Sequence, residues 1–344
     1  MSPGRSWLAR GFFVLLACVV ALCLAELAAR VWFTEWGPTR AERVKFWCYH
    51  ADLGWVQEPG TRGRFAHPEF SVEVAINAEG LRDDEYPRER TGRKRMLVLG
   101  DSYAWGFGVE ASARFSELLE QRHPGWEIIN AAVSGYGTGQ EFLYLQKDGV
   151  AFQPDVVLLL FSENDFTDNV RAEDYWHFRP CFAVRDGRLM LDNVPVPSPT
   201  LGQRMRRFLL GSTHLGSRLY LAKEALKRPR RGERPSEQAE MTHAVAVTGL
   251  LFKALDEYCR EMGATLVMAS VPMAEERRAV VGRIAAEAQI PYLALDPYFE
   301  ADEVNFRFAH DEHWNADGHD MAAKGLDAFL RQMGMGARRL RRVL

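Results

Sequence analysis

From Met96 onward the chain sets short apolar runs between longer amphipathic stretches: MLVLG (96–100), EIINAAV (127–133), DVVLLLF (155–161), TLVMASV (265–271) and PYLALD (291–296). Runs this short, apolar without alternation and bounded by glycine or acidic residues, predict strands buried on both faces. The segments between them carry helical periodicity. In the clearest, Val247, Leu251, Leu255, Tyr258 and Met262 trace one stripe, with Gly263 as the stop. Five strands alternating with helices predict a parallel sheet covered on both sides, an α/β fold. Two stretches break the pattern. In FSVEVAIN, Phe70, Val72, Val74 and Ile76 alternate with Ser71, Glu73 and Ala75, as in a half-buried strand. CFAVRDGRLMLDNV (181–194) reads as a hairpin turning at Asp186 and Gly187, inside an insertion after the third core strand.

A different pattern opens the chain. Residues 11–29 are almost continuously apolar between Arg10 and Arg30, with Glu26 as the one charge. That length spans a bilayer as a helix. The apolar core is longer than that of a typical cleaved signal, so an uncleaved single-pass anchor is expected. The expected organisation is a tail and anchor (1–34), a lead-in packing on the core (35–92), a main domain (93–335) with an insertion at about 170–240, and a basic tail (336–344).

Composition adds exclusions. The chain has 344 residues, 47% hydrophobic and 26% charged, and a formal net charge of −3, so no global basic field argues for nucleic acid. The basic stretch at 204–231, with Phe208, Leu209, Leu215, Leu219 and Leu221 interleaved, reads first as a solvated helix face; an anionic membrane surface or a polyanionic glycan is the alternative. No Cys/His spacing resembles a zinc site, and no cofactor is expected. Cys18 and Cys23 lie in the apolar segment and Cys259 in a helix core, while Cys48 and Cys181 either pair or stay free thiols.

The chemistry collects at the carboxyl ends of the strands, where parallel sheets meet their ligands. Ser102 follows the first strand, as either a reactive hydroxyl or a helix cap. Gly135 follows the second, where its N–H can approach a ligand oxygen. Asn164 follows the third and brings a carboxamide donor. Near the carboxyl terminus, Asp311 and His313 precede a helix starting near Asn315. Histidine is the usual base for a serine hydroxyl, and a carboxylate the usual group that holds its tautomer. Trp105 and Phe107, close after Ser102, are candidates to wall the acyl group or stack on a sugar, with core packing the expected role of at least one of them, and Tyr136 is a third candidate substrate contact.

These blocks, GDSY, NAAVSGYG, SEND and DEHWNADGH, resemble in content and order those of the SGNH, or GDSL, hydrolase superfamily. The resemblance implies a three-layer, flavodoxin-like α/β/α sandwich. It also implies Ser102 as nucleophile, His313 as base and acid, Asp311 as orienting carboxylate, and an oxyanion hole from the N–H groups of Ser102 and Gly135 and the Asn164 amide. Tyr103 stands where the family has leucine, Ser162 where it has glycine, and one residue instead of two separates Asp311 from His313. That Asp-X-His spacing is similar to enzymes that acetylate exopolysaccharides. His310 and His319 are weaker candidates for the base, and His319 reads as a structural helix residue. The expected function is a serine esterase of the bacterial inner membrane, its catalytic domain periplasmic. It would remove O-acetyl groups from an envelope or exported polysaccharide, with the polysaccharide machinery as partner. An O-acetyltransferase, a lipase or lysophospholipase, and a non-catalytic glycan-binding subunit are the alternatives.

Overall fold

A computed structural model describes residues 3–32, 46–67, 69–173, 178–216, 235–300 and 303–335. In chain order the strands are β1 (Trp47–His50), β2 (Gly54–Gln57), β3 (Arg62–His67), β4 (Phe70–Ala75), β5 (Lys94–Gly100), β6 (Trp126–Asn130), β7 (Val156–Phe161), β8 (Cys181–Arg185), β9 (Arg188–Asp192), β10 (Thr265–Ser270) and β11 (Tyr292–Ala294). The five apolar runs all form strands of one parallel sheet, in the order β11-β10-β7-β5-β6. Counting core strands along the chain, that is the flavodoxin-like order 2-1-3-4-5. Its direction of winding reverses beside β5, between β5 and β7, and ligands bind at such switch points.

Alternation within each buried strand feeds two cores. Leu97, Leu99, Val157, Leu159, Leu266 and Met268 face one side, where the helices Thr138–Lys147, Pro235–Glu261 and Glu275–Glu287 pack. Met96, Val98, Leu158, Leu160, Val267 and Ala269 face the other, against Phe115–Arg122 and Ala316–Gln332. The result is a three-layer α/β/α sandwich. The stripe residues Val247, Leu251 and Leu255 are fully buried, and Gly263 ends that segment at φ +80°.

The lead-in holds more structure than one alternating strand. Besides β4, whose Phe70, Val72 and Val74 point inward, it forms β3 as its antiparallel partner and the separate hairpin β1–β2. Arg95, which reads as part of a basic run, is fully buried at the start of β5. It pairs with Glu127 at 2.6 Å and donates to the carbonyls of Pro87, Arg88, Glu89 and Phe152, fastening the end of the lead-in to the sheet.

Between β7 and β10 the hairpin β8–β9 turns at Asp186 and Gly187, and the helix Leu201–Ser212 follows. Leu201, Met205 and Leu209 are exposed along that helix. At the amino end, Arg10–Trp32 lies within one long helix apolar enough to cross a membrane, with a mean hydropathy of 2.7. Its lone acid, Glu26, accepts from the backbone N–H groups of His214 and Leu215 and pairs with Arg30. All five cysteines are free; Cys48, half-buried beside Glu58, has its thiol pushed up to about 11 by burial and then by that carboxylate. The basic tail and the basic residues from 218 to 231 lie outside the described residues.

Candidate active site

The turn after β5 sets the geometry. Gly100 packs so tightly that a Cβ there would stand 2.6 Å from that of Ala104. Asp101 caps the short helix Ser102–Trp105, its carboxylate accepting from the N–H of Tyr103 at 2.9 Å. The cap is therefore Asp101, and the Ser102 hydroxyl is left for another partner. Burial raises the Asp101 carboxyl above the usual carboxylate range; the Tyr103 N–H and the Ser162 hydroxyl pull the other way.

That partner is His313, whose Nε2 lies 2.7 Å from Ser102 Oγ. On the far side of the ring, His313 Nδ1 is 2.5 Å from Asp311 Oδ1, and the same oxygen accepts from the His313 backbone N–H at 2.9 Å. The one-residue spacing thus lets the carboxylate turn back on the ring. Aromatic rings flank the imidazole: Phe107 stacks on it with centroids 4.1 Å apart, and the Tyr103 centroid is 4.9 Å away. The Tyr103 hydroxyl donates to the Glu312 carbonyl, tying the Ser102 helix to the histidine loop.

The neighbouring strand ends supply donors. Gly135 follows β6 at φ +85°, a conformation that costs a side-chain-bearing residue energy. Asn164 follows β7, exposed, its Nδ2 donating to Asp168 Oδ2 at 3.0 Å. The same amide also helps lower the pKa of the buried Asp101 carboxyl, so its nitrogen end lies toward two carboxylates at the strand ends.

The structure corrects the three aromatic substrate contacts. Trp105 is fully buried, stacked under the Arg82 guanidinium and donating to Gln57; Phe107 is 4% exposed between Phe65, Phe70 and His313; Tyr136 is 1% exposed, its hydroxyl bonded to the Trp55 carbonyl. Aromatics next to a reactive serine can equally well form the floor beneath it, and here the lead-in covers them. His319 is buried in its helix with Nδ1 accepting from the Phe115 N–H, while His310 is exposed and binds Glu69 through its backbone.

Several supports carry no local signal in sequence. Trp55 of β2 donates to the Ser134 carbonyl at 3.2 Å and packs against Gly135. Gln57 bonds Gly80, Ala132 and Trp105, and Arg82 donates to the carbonyls of Trp105, Gly106 and Val109. Beneath the strand ends sit two further buried acids, Glu141 and Asp165. Burial holds both well above the usual carboxylate range, and neighbouring carboxylates add to it. Thr138 donates to Asp165, and neither carboxylate oxygen of Glu141 has a hydrogen-bond partner among the described residues. No group of three or more His, Cys, Asp or Glu among the described residues is arranged to hold a metal ion.

Comparison with known proteins bears on this arrangement. The model of the GDSL-like lipase/acylhydrolase family matches residues 98–321. Similar solved structures include TesA, 13% identical over 70% of this chain and 99% of that one, TM-score 0.42. The psychrotrophic esterase EstA from Pseudoalteromonas sp. is 11% identical over 70% and 98%, TM-score 0.42. An acetyl xylan esterase from Geobacillus stearothermophilus is 15% identical over 72% and 97%, TM-score 0.38. No curated protein matches the sequence.

Proposed function

This chain belongs to the GDSL-like lipase/acylhydrolase family and is an ester-bond hydrolase; from that premise we propose a membrane-anchored serine esterase that removes acetyl groups from an envelope or exported polysaccharide. The observation that carries the reading is the continuous contact Ser102 Oγ–His313 Nε2–Nδ1–Asp311 Oδ1, at 2.7 and 2.5 Å. His313 Nε2 takes the hydroxyl proton as Oγ attacks the acyl carbon. Asp311 keeps the other ring nitrogen protonated and stabilises the imidazolium. The oxyanion meets the N–H groups of Ser102 and Gly135 and the Asn164 amide, each donor contributing about 2.7–4 kcal/mol in the transition state. The ester C–O bond then breaks, His313 returns the proton to the departing sugar oxygen, and Ser102 carries the acyl group. Water, deprotonated by His313, releases it.

Two features favour a short acyl chain on a polar alcohol. The aromatics after Ser102 are packed away in the core, and the rim beside Asn164 carries Glu163 and Arg277, paired at 3.4 Å. The resemblance of the Asp-X-His pair to that of enzymes acting on exopolysaccharides favours a polysaccharide; the apolar helix at Arg10–Trp32 favours an anchored protein, and the substrate, not the helix, is the reason for setting the catalytic domain outside the cytoplasm. The test is hydrolysis of aryl esters of increasing acyl length, together with acetate release from an O-acetylated polysaccharide, by the full chain in detergent. Acetyl esters should turn over fastest, with Ser102→Ala slower by on the order of 10⁴-fold or more. Equal rates for Ser102→Ala would remove the serine from the mechanism. Acetyl appearing on an added sugar instead of as acetate would make the enzyme a transferase.

A further inference from the structure

An exposed carboxamide at a strand end does not by itself present its nitrogen to a ligand. A half-turn of the terminal torsion would aim the oxygen instead, and an oxyanion would then meet an acceptor. Acceptors prevent this: Asp168, one helical turn after Asn164, holds Asn164 Nδ2 at 3.0 Å through its Oδ2, and the same amide acts on the buried Asp101 carboxyl, so carboxylates set which end of the amide is which, with Asp168 in the direct contact. Asp168 is itself held from the other side, its Oδ1 lying 2.8 Å from Nη1 of Arg179.

Arg179 lies just before β8, at the start of the insertion, and is 2% exposed. Its backbone is fastened: the N–H donates to the Ala172 carbonyl, and its own carbonyl accepts from Asn193 Nδ2. Gly54 packs so closely that a Cβ there would come 2.4 Å from the Phe178 carbonyl oxygen. The guanidinium also stands 5.4 Å from the centroid of Trp55, whose Nε1 donates to the Ser134 carbonyl beside Gly135. One buried cation therefore touches the supports of two candidate oxyanion donors. A buried ion pair is an inefficient device for stability alone, since apolar residues of similar volume serve as well or better. Its place behind Asn164 gives it another use.

We infer that Arg179 is a positioning residue, which through Asp168 fixes the Asn164 amide with its N–H toward the reacting carbonyl. The inference rests on the reading of Ser102 as nucleophile and Asn164 as donor. It makes the insertion part of the catalytic apparatus, acting on turnover more than on substrate binding.

The experiment is a double-mutant cycle on the full chain, reading kcat and KM separately with an aryl acetate. Asn164→Ala should lower kcat by about 10²–10³-fold, as for loss of one oxyanion donor. Arg179→Gln should lower kcat by a smaller factor, roughly 10–100-fold, with KM little changed, since the amide is misplaced and not removed. In the Asn164→Ala background, Arg179→Gln should cost no more than about twofold further. If the two effects multiply, or Arg179→Gln raises KM alone or leaves kcat unchanged, the inference is overturned. Where circular dichroism finds Arg179→Gln unfolded, Asp168→Asn, which keeps the side-chain shape, enters the cycle with the same expectations. Full activity in Ser102→Ala, or unchanged kcat in Asn164→Ala, would instead bring down the reading of the site itself.

Discussion

Acid should destabilise this protein through His319, a residue outside the reaction. Its ring is fully buried 5.6 Å from that of Trp314, and Nδ1 accepts from the Phe115 N–H at 3.3 Å, which only the unprotonated nitrogen can do. Burial first, then the cations Arg114 and Arg82, lower its pKa from 6.5 to about 3. The unfolded chain therefore binds a proton near pH 6.5 that the folded chain refuses until about pH 3. Stability is lost as pH falls through that window, at a slope approaching about 1.4 kcal/mol per pH unit. From these two values, relative to neutral pH, the loss from this one residue is about 2 kcal/mol at pH 5 and about 3 kcal/mol at pH 4. His319→Asn keeps an acceptor for the Phe115 N–H but cannot titrate. Its absolute stability will be lower because the side chain is smaller, so the informative quantity is the change with pH. Denaturant titrations of the full chain in detergent at pH 7.5 and pH 5 should show the wild type losing about 2 kcal/mol more than the variant. Equal losses in both proteins would mean that His319 is not held neutral, and the reasoning from its burial would fail.

Glu141 should give the opposite pH dependence. Its buried carboxyl is held protonated, so its contribution is full below about pH 4.5 and is lost as pH rises toward the elevated folded value. Glu141→Gln should therefore gain stability over the wild type as pH rises above about 4.5, read as a widening gap in denaturation midpoint; a constant gap would refute it. Gly135→Ala would place a side chain at φ +85° and 3.4 Å from Trp55 Cζ2. The left-handed backbone costs about 1–2 kcal/mol, so kcat should fall by roughly 5–30-fold if the N–H moves to relieve it. Wild-type kcat and melting temperature together would rule that out. Asp311→Asn should lower kcat by on the order of 10⁴-fold while leaving KM nearly unchanged; a small loss would assign the orientation of His313 to another group.

Much of the site was legible because its members follow strands that announce themselves. An apolar run marks a buried strand wherever its neighbours are, so Ser102, Gly135 and Asn164 could be placed at one sheet edge before any contact was known. The Asp311–His313 spacing departs from the family's by one residue, and only the loop conformation brings Oδ1 back to Nδ1. Which of the aromatics are covered is hidden from the sequence for a related reason. Trp105, Phe107 and Tyr136 have the composition of a ligand wall, and what covers them, β2 to β4 and the loops beside them, lies far away in the chain.

By itself the sequence determined the period of each segment and the order in which reactive groups occur, since both depend only on side-chain spacing along the backbone. The tertiary structure alone decided that β5 lies between β6 and β7, which of the aromatics are floor and not wall, and that Arg179 reaches Asp168 from inside an insertion. Those outcomes depend on which apolar faces cover one another and on where a buried charge finds its partner. Both are pairings between distant stretches of chain that no local pattern encodes.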